Sequence, residues 1–112
     1  MDCVFCRIVA QEIPATIRHE TADLVAFDDL HPRAPFHILL IPKRHIPSVR
    51  ELMDTDAKLM GDLIGAARTI AQAQGIAPGG YRLVINCGQD GGQEVAHLHL
   101  HLLGGKRLGA MA

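Results

Sequence analysis

The sequence predicts an α+β fold in which a five-stranded antiparallel sheet carries one main helix and a short N-terminal helix. Two observations carry this expectation. Short apolar runs bounded by turn residues recur along the chain with hairpin-type connections, and a single long stretch, about 55–74, has helical periodicity. A chain of 112 residues suits one domain, 1–112, without linker or internal repeat.

Taken in order, residues 3–9 (CVFCRIV) form one or two helical turns that must end before Ile13-Pro14, because a residue preceding proline disfavours helix. Residues 16–20 and 23–28 read as a hairpin turning at Glu20–Asp23. Two prolines make the stretch from Asp28 to Pro35 a loop, and Phe36–Ile41 (FHILLI) is a buried strand stopped by Pro42. In the helix at about 55–74, Leu59, Leu63, Ala67 and Ile70 form an apolar stripe that Met60 and Ile64 widen. Asp54 or Thr55 can cap its start, Asp56 suits the positive end of its dipole, and Gly75 supplies the stop. Gly61 and Gly65, four apart, allow close approach either to the sheet or to a partner helix. Tyr81–Asn86 is the next strand, Cys87–Gly92 (CGQDGG) is a glycine-rich loop, and Gln93–Leu103 closes the sheet.

Composition narrows the function. Hydrophobic residues make up 48% and charged residues 21%, an ordinary balance for a soluble globular domain. A net charge of −1 gives no electrostatic footprint for nucleic acid or an anionic membrane surface. No run approaches the roughly 20 apolar residues of a membrane span, and no signal-peptide core follows Met1-Asp2-Cys3. A cytoplasmic location is expected. Three cysteines, an odd number, exclude a full disulfide framework.

The chemistry concentrates in His97-Leu98-His99-Leu100-His101-Leu102. The period is two, so on a strand the imidazoles share one face and the leucines the other. Three readings compete: incidental histidines on a solvated face, a metal site, and phosphoryl or nucleotidyl transfer. Three successive histidines are unusual filler, and three from one strand converge poorly on a single ion. A neutral imidazole, by contrast, attacks phosphorus well, and its neighbours can donate hydrogen bonds to the phosphate oxygens. Cys3-Val4-Phe5-Cys6 is a lone C-x-x-C, which by itself is redox-active, metal-binding or coincidental.

The run His97–Leu103 (HLHLHLL) resembles the signature of the histidine triad (HIT) family. The segments EIPA (12–15), AFDD (26–29), IPKRHI (41–46) and GGQ (91–93) agree with it across nearly the whole chain. The whole looks most like the nucleotide-binding Hint branch. That resemblance implies a HIT-like fold, homodimers joined into a ten-stranded sheet, and hydrolysis of purine nucleoside phosphoramidates, which are AMP or GMP derivatives. Dinucleoside polyphosphate hydrolysis and a noncatalytic nucleotide-binding or sensor module are the alternatives.

By the same resemblance His99 is the nucleophile, forming a covalent nucleotidyl-histidine, and His101 contacts the phosphate. Asp29 would hold the ribose hydroxyls, and Phe5, Ile8, Phe27 and Leu30 would line an apolar slot for the base. Asn86, Gly92 and Gln93 would approach the phosphate. Glu94 stands where Ser or Thr often helps bind phosphate, and an acid there repels it unless it turns away or meets the leaving amine. Some bacterial-type members complete a zinc site with the histidine of the Pro-Lys-x-His segment and the first triad histidine. The implied structural zinc would sit on Cys3, Cys6, His45 and His97.

Overall fold

A computed structural model describes residues 3–112. Ile17–Glu20 (β1) and Leu24–Asp28 (β2) form the expected hairpin, with the Thr21 side chain accepting from the Asp23 and Leu24 N–H groups. Phe36–Pro42 (β3) pairs with β2, Leu24 facing Pro42 and Asp28 facing Ile38. Tyr81–Val84 (β4) and Leu100–Gly104 (β5) complete a five-stranded sheet in the order β1-β2-β3-β5-β4, with every pair antiparallel.

Every residue of β3 after Phe36 is buried because both faces of the sheet are covered. On one face Leu24, Ala26, Ile38, Leu40, Leu100 and Leu102 pack against Leu63, Ala66, Ala67, Ile70 and Ala71 of the helix Ala57–Ala73 (α2). On the other, Val25, Phe27, Leu39 and Ile41 meet Cys3 and Phe5 at the helix Val4–Val9 (α1). Period-two alternation thus sends His37, Leu39 and His101 to the α1 side and their sequence neighbours to the α2 side.

The main helix begins differently from expectation. A 3-10 turn, Asp54–Asp56, precedes α2, and neither Asp54 nor Thr55 caps it. Instead the Asp56 carboxylate reaches back 2.9 Å to accept from the Met53 N–H and also receives Arg44, which satisfies donors a helix start leaves unpaired. Backbone bonding to Met53, with Arg44 beside it, holds the Asp56 carboxyl below its ordinary value. The stop at Gly75 is as expected, at a φ of +77°. Gly61 and Gly65 have no neighbour within 4 Å of an added Cβ, and Ile64 between them is 49% exposed, so this stripe does not pack on the sheet.

The last strand is shorter than the expected Gln93–Leu103. Pairing of β3 with β5 stops at Leu40–Leu100, and two residues further on Pro42 has no N–H with which to continue it. Residues 93–99 leave the ladder, and Leu98 is tied instead by its N–H to the Ile46 carbonyl at 2.7 Å.

Candidate active site and metal cluster

Leaving the ladder splits the histidine run into two environments. His97 is fully buried beneath α1, whereas His99 and His101 line a cavity of about 240 Å³ beside that helix. The solvated-face reading of the three histidines is therefore overturned.

The cavity has an apolar wall that includes Phe5, Ile8, Phe27 and Leu39, and a polar side of Asp29, Arg33, Asn86, Glu94, His99 and His101. Leu30 also lines it, although 80% exposed, and Gly92 contributes backbone. Phe5 stands edge-on to Phe27 at 5.6 Å and to His99 at 5.2 Å, so α1 carries the ring that borders both the apolar slot and the imidazoles. Gln93 is not among the lining residues. Its carboxamide accepts from the Gly88 N–H and donates to the Pro47 and Val95 carbonyls, which fixes the glycine-rich loop. Asn86 braces the same loop by donating to the Gly91 carbonyl at 2.7 Å, and a Cβ at Gly91 would collide with the Cys87 backbone.

Hydrogen bonds assign the protons. The Nδ1 of His99 lies 2.7 Å from the His97 carbonyl oxygen, which can only accept. Nδ1 therefore carries the hydrogen, and the neutral ring keeps its lone pair on Nε2. A second chain of bonds fixes His101. The Arg33 backbone N–H donates to His37 Nδ1 at 3.0 Å, so the His37 hydrogen is on Nε2, which donates to His101 Nδ1 at 2.8 Å. The hydrogen of His101 is then on Nε2. Burial pushes His37 down from its ordinary value despite Asp29 nearby, and burial, with His99 and His37 beside it, pushes His101 down to about 4. Both are neutral at pH 7, as the relay requires. Asp29 accepts from the His31 N–H at 2.8 Å through one oxygen and brings the other within 3.4 Å of His37 Nε2.

His37 and Arg33 were not singled out from the sequence. A lone histidine inside the apolar run FHILLI was the available signal for the first.

Behind the cavity, Cys3, Cys6, His45 and His97 bring one ligand atom each within 4.8 Å of one another, a group able to coordinate a metal. His97 Nε2 lies 2.9 Å from the Pro42 carbonyl, so it carries the hydrogen and the Nδ1 lone pair is aimed at the cluster. Tetrahedral zinc, with sulfur at about 2.3 Å and nitrogen at about 2.0–2.1 Å, sets N···N edges near 3.3 Å and S···N edges near 3.5 Å. The distances are 3.2 Å for His45 Nδ1 to His97 Nδ1, 3.4 Å for Cys3 Sγ to His97 Nδ1, and 3.2 and 3.6 Å from Cys6 Sγ to His45 and His97. The donor set fits.

A five-stranded antiparallel sheet that ends in paired imidazoles at an apolar slot defines a histidine triad domain, and the chain belongs to the histidine triad (HIT) family. The family model described as "Scavenger mRNA decapping enzyme C-term binding" matches residues 2–110. Within that class the chain is similar to the purine nucleoside phosphoramidase of Escherichia coli (strain K12), 44% identical over 110 residues, covering 98% of this chain and 92% of that protein. Among solved structures it resembles a HIT family hydrolase from Legionella pneumophila Philadelphia 1, at 47% identity and a TM-score of 0.93, covering 95% of each chain. A histidine triad protein from Clostridium difficile has a TM-score of 0.96 at 43% identity, covering 100% of this chain and 97% of that one.

Proposed function

We propose that this chain is a purine nucleoside phosphoramidase-type hydrolase working through a covalent nucleotidyl-His99. The observation that carries the proposal is the 2.7 Å bond from His99 Nδ1 to the His97 carbonyl, which selects the tautomer whose lone pair is on Nε2, in a residue lining the cavity. A base in the slot of Phe5, Ile8, Phe27 and Leu30, with its ribose near Asp29, brings the α-phosphate to His99 and His101. The Nε2 lone pair attacks phosphorus and the P–N bond breaks. The nitrogen keeps the bonding pair, takes up a proton and leaves as an amine. Water then attacks the same phosphorus, giving the nucleoside monophosphate and restoring His99. His101 Nε2–H, oriented by His37, donates to a nonbridging oxygen as its charge grows.

In the same reading Cys3, Cys6, His45 and His97 hold a structural zinc. Bound there, the ion supplies a cross-link between α1 and the sheet, and with four protein ligands it has no open position for substrate. Holding His97 in place holds the carbonyl that orients His99. Two copies would join through β4, one of the two edge strands of the sheet, into ten strands, with Leu83 and the Gly61–Gly65 stripe facing the partner.

The test is turnover of a fluorogenic adenosine phosphoramidate by wild type and His99→Ala, with intact mass to find an acid-labile nucleotidyl adduct. Turnover and adduct should both vanish in the variant. Nucleotide binding without turnover in either protein would leave a sensor and remove the catalytic reading.

A further inference from the structure

The nucleotide site just proposed takes an anion, yet among the described lining residues Arg33 is the only lysine or arginine. Its guanidinium is tied to Glu94 at 3.1 Å across the mouth of the cavity, joining the loop before β3 to the segment after the glycine-rich loop. Both side chains are mostly exposed, 68% and 73%, so neither is locked by packing and the pair is readily broken. The backbone of Arg33, in contrast, is fixed. Its N–H donates to His37 Nδ1, which places residue 33 at the head of the relay that ends on His101. Arg33 is also close enough to depress the protonation of both His37 and His101.

We infer that Arg33 is the phosphate-binding cation of this site and that it exchanges partners, from the Glu94 carboxylate in the free protein to the phosphoryl oxygens in the nucleotide complex. The inference rests on the nucleotide reading above and adds to it a residue for which the triad alone gives no indication. Three features support the exchange. A guanidinium matches two phosphoryl oxygens with parallel N–H donors, whereas an exposed carboxylate partner holds it weakly. A fixed backbone and a free side chain let the charge swing without moving the His37–His101 relay. Glu94, which would otherwise repel a phosphate beside His99, has its charge offset by Arg33 until the exchange. The ion pair thus acts as a rest position.

The experiment compares binding of AMP, which carries the phosphate, with adenosine, which does not, by calorimetry. The proteins are wild type, Arg33→Gln and Glu94→Gln, all three intact in fold because both side chains are exposed. Arg33→Gln should weaken AMP about tenfold and leave adenosine unchanged. Glu94→Gln removes the competing carboxylate and should tighten AMP a few-fold, again without effect on adenosine.

AMP affinity unchanged in Arg33→Gln would overturn the inference while leaving the nucleotide site standing. Equal losses for AMP and adenosine would overturn it too, by making Arg33 a support of the loop rather than a phosphate ligand. Weaker AMP binding in Glu94→Gln would show that the carboxylate helps rather than competes, and the exchange would fall. A wild type that binds neither compound would remove the nucleotide reading itself.

Discussion

His37 Nε2 donates to His101 Nδ1 at 2.8 Å, from a ring whose own Nδ1 is occupied by the Arg33 N–H. The pair holds one hydrogen between the rings and a second on His101 Nε2. Without His37, His101 is free to take the other tautomer, in which the donor becomes an acceptor and a phosphoryl oxygen meets a lone pair. His37→Phe should therefore lower kcat about 10- to 100-fold, with KM little changed, because the lost bond strengthens only as charge develops. His37→Gln, whose amide N–H can reach roughly where Nε2 stands, should recover most of the rate. Equal kcat values for the two variants would reduce His37 to a packing residue.

The same burial gives the fold a pH signature. His101 titrates at about 4 in the native protein, against about 6.5 for a free imidazole, and His37 is displaced in the same direction. Between those values the unfolded chain binds protons that the native state refuses, so stability rises with pH there. It is fully present above about 6.5 and is lost as pH falls toward 4. Thermal unfolding should give a lower Tm at pH 5.5 than at 7.5, and a lower one again at 4.5. A Tm that climbs on acidification from 7 to 5 would contradict it.

Much of this was legible in the sequence, for reasons that can be assigned residue by residue. The hairpin over β1 and β2, the buried strand FHILLI and the stop at Gly75 follow from local periodicity and turn chemistry, and tertiary packing did not override them. The run from Gln93 to Leu103 misled because an extended loop satisfies a period of two as well as a strand does. What ends the ladder is Pro42, which lies opposite in space and far away in sequence. Phe5, Ile8, Phe27, Asp29, Asn86, Glu94, His99 and His101 all line the one cavity. Gln93 could not be separated from them, since only the fold shows its carboxamide already committed to the Gly88 N–H and the Pro47 and Val95 carbonyls. The Arg33–Glu94 pair spans 61 residues with no local pattern to announce it.

The Cys3, Cys6, His45 and His97 cluster predicts a stability that depends on zinc. Metal analysis of protein purified without chelator should give about one zinc per chain. Cys3→Ser should lose it and be destabilised by several kcal/mol, since an ion held there would cross-link α1 to the segments that carry His45 and His97. A closed site adds a kinetic condition: chelation should abolish activity only as fast as the fold loosens, not on mixing. Immediate loss would mean an open, catalytic position on the metal. A metal-free wild type with undiminished Tm would remove the ion from the account.

The remaining prediction concerns the second copy. β4 is an edge strand of the sheet, as β1 is, and its Leu83 is exposed. On the helix α2, Gly61 and Gly65 have open space beside them and Ile64 is half-exposed. Small residues flanking an exposed isoleucine let another helix come close and bury it, and an unpaired strand edge supplies the hydrogen bonds that extend a sheet. A chain of 12.1 kDa should accordingly run in native mass spectrometry at about twice that mass. Ile64→Lys and Leu83→Lys place charges on this face without touching the core, so each should shift the species toward one chain while leaving the folded monomer's circular dichroism unchanged. If both variants stay dimeric, the interface lies elsewhere. A wild type at the mass of one chain at micromolar concentration would leave the ten-stranded sheet without support.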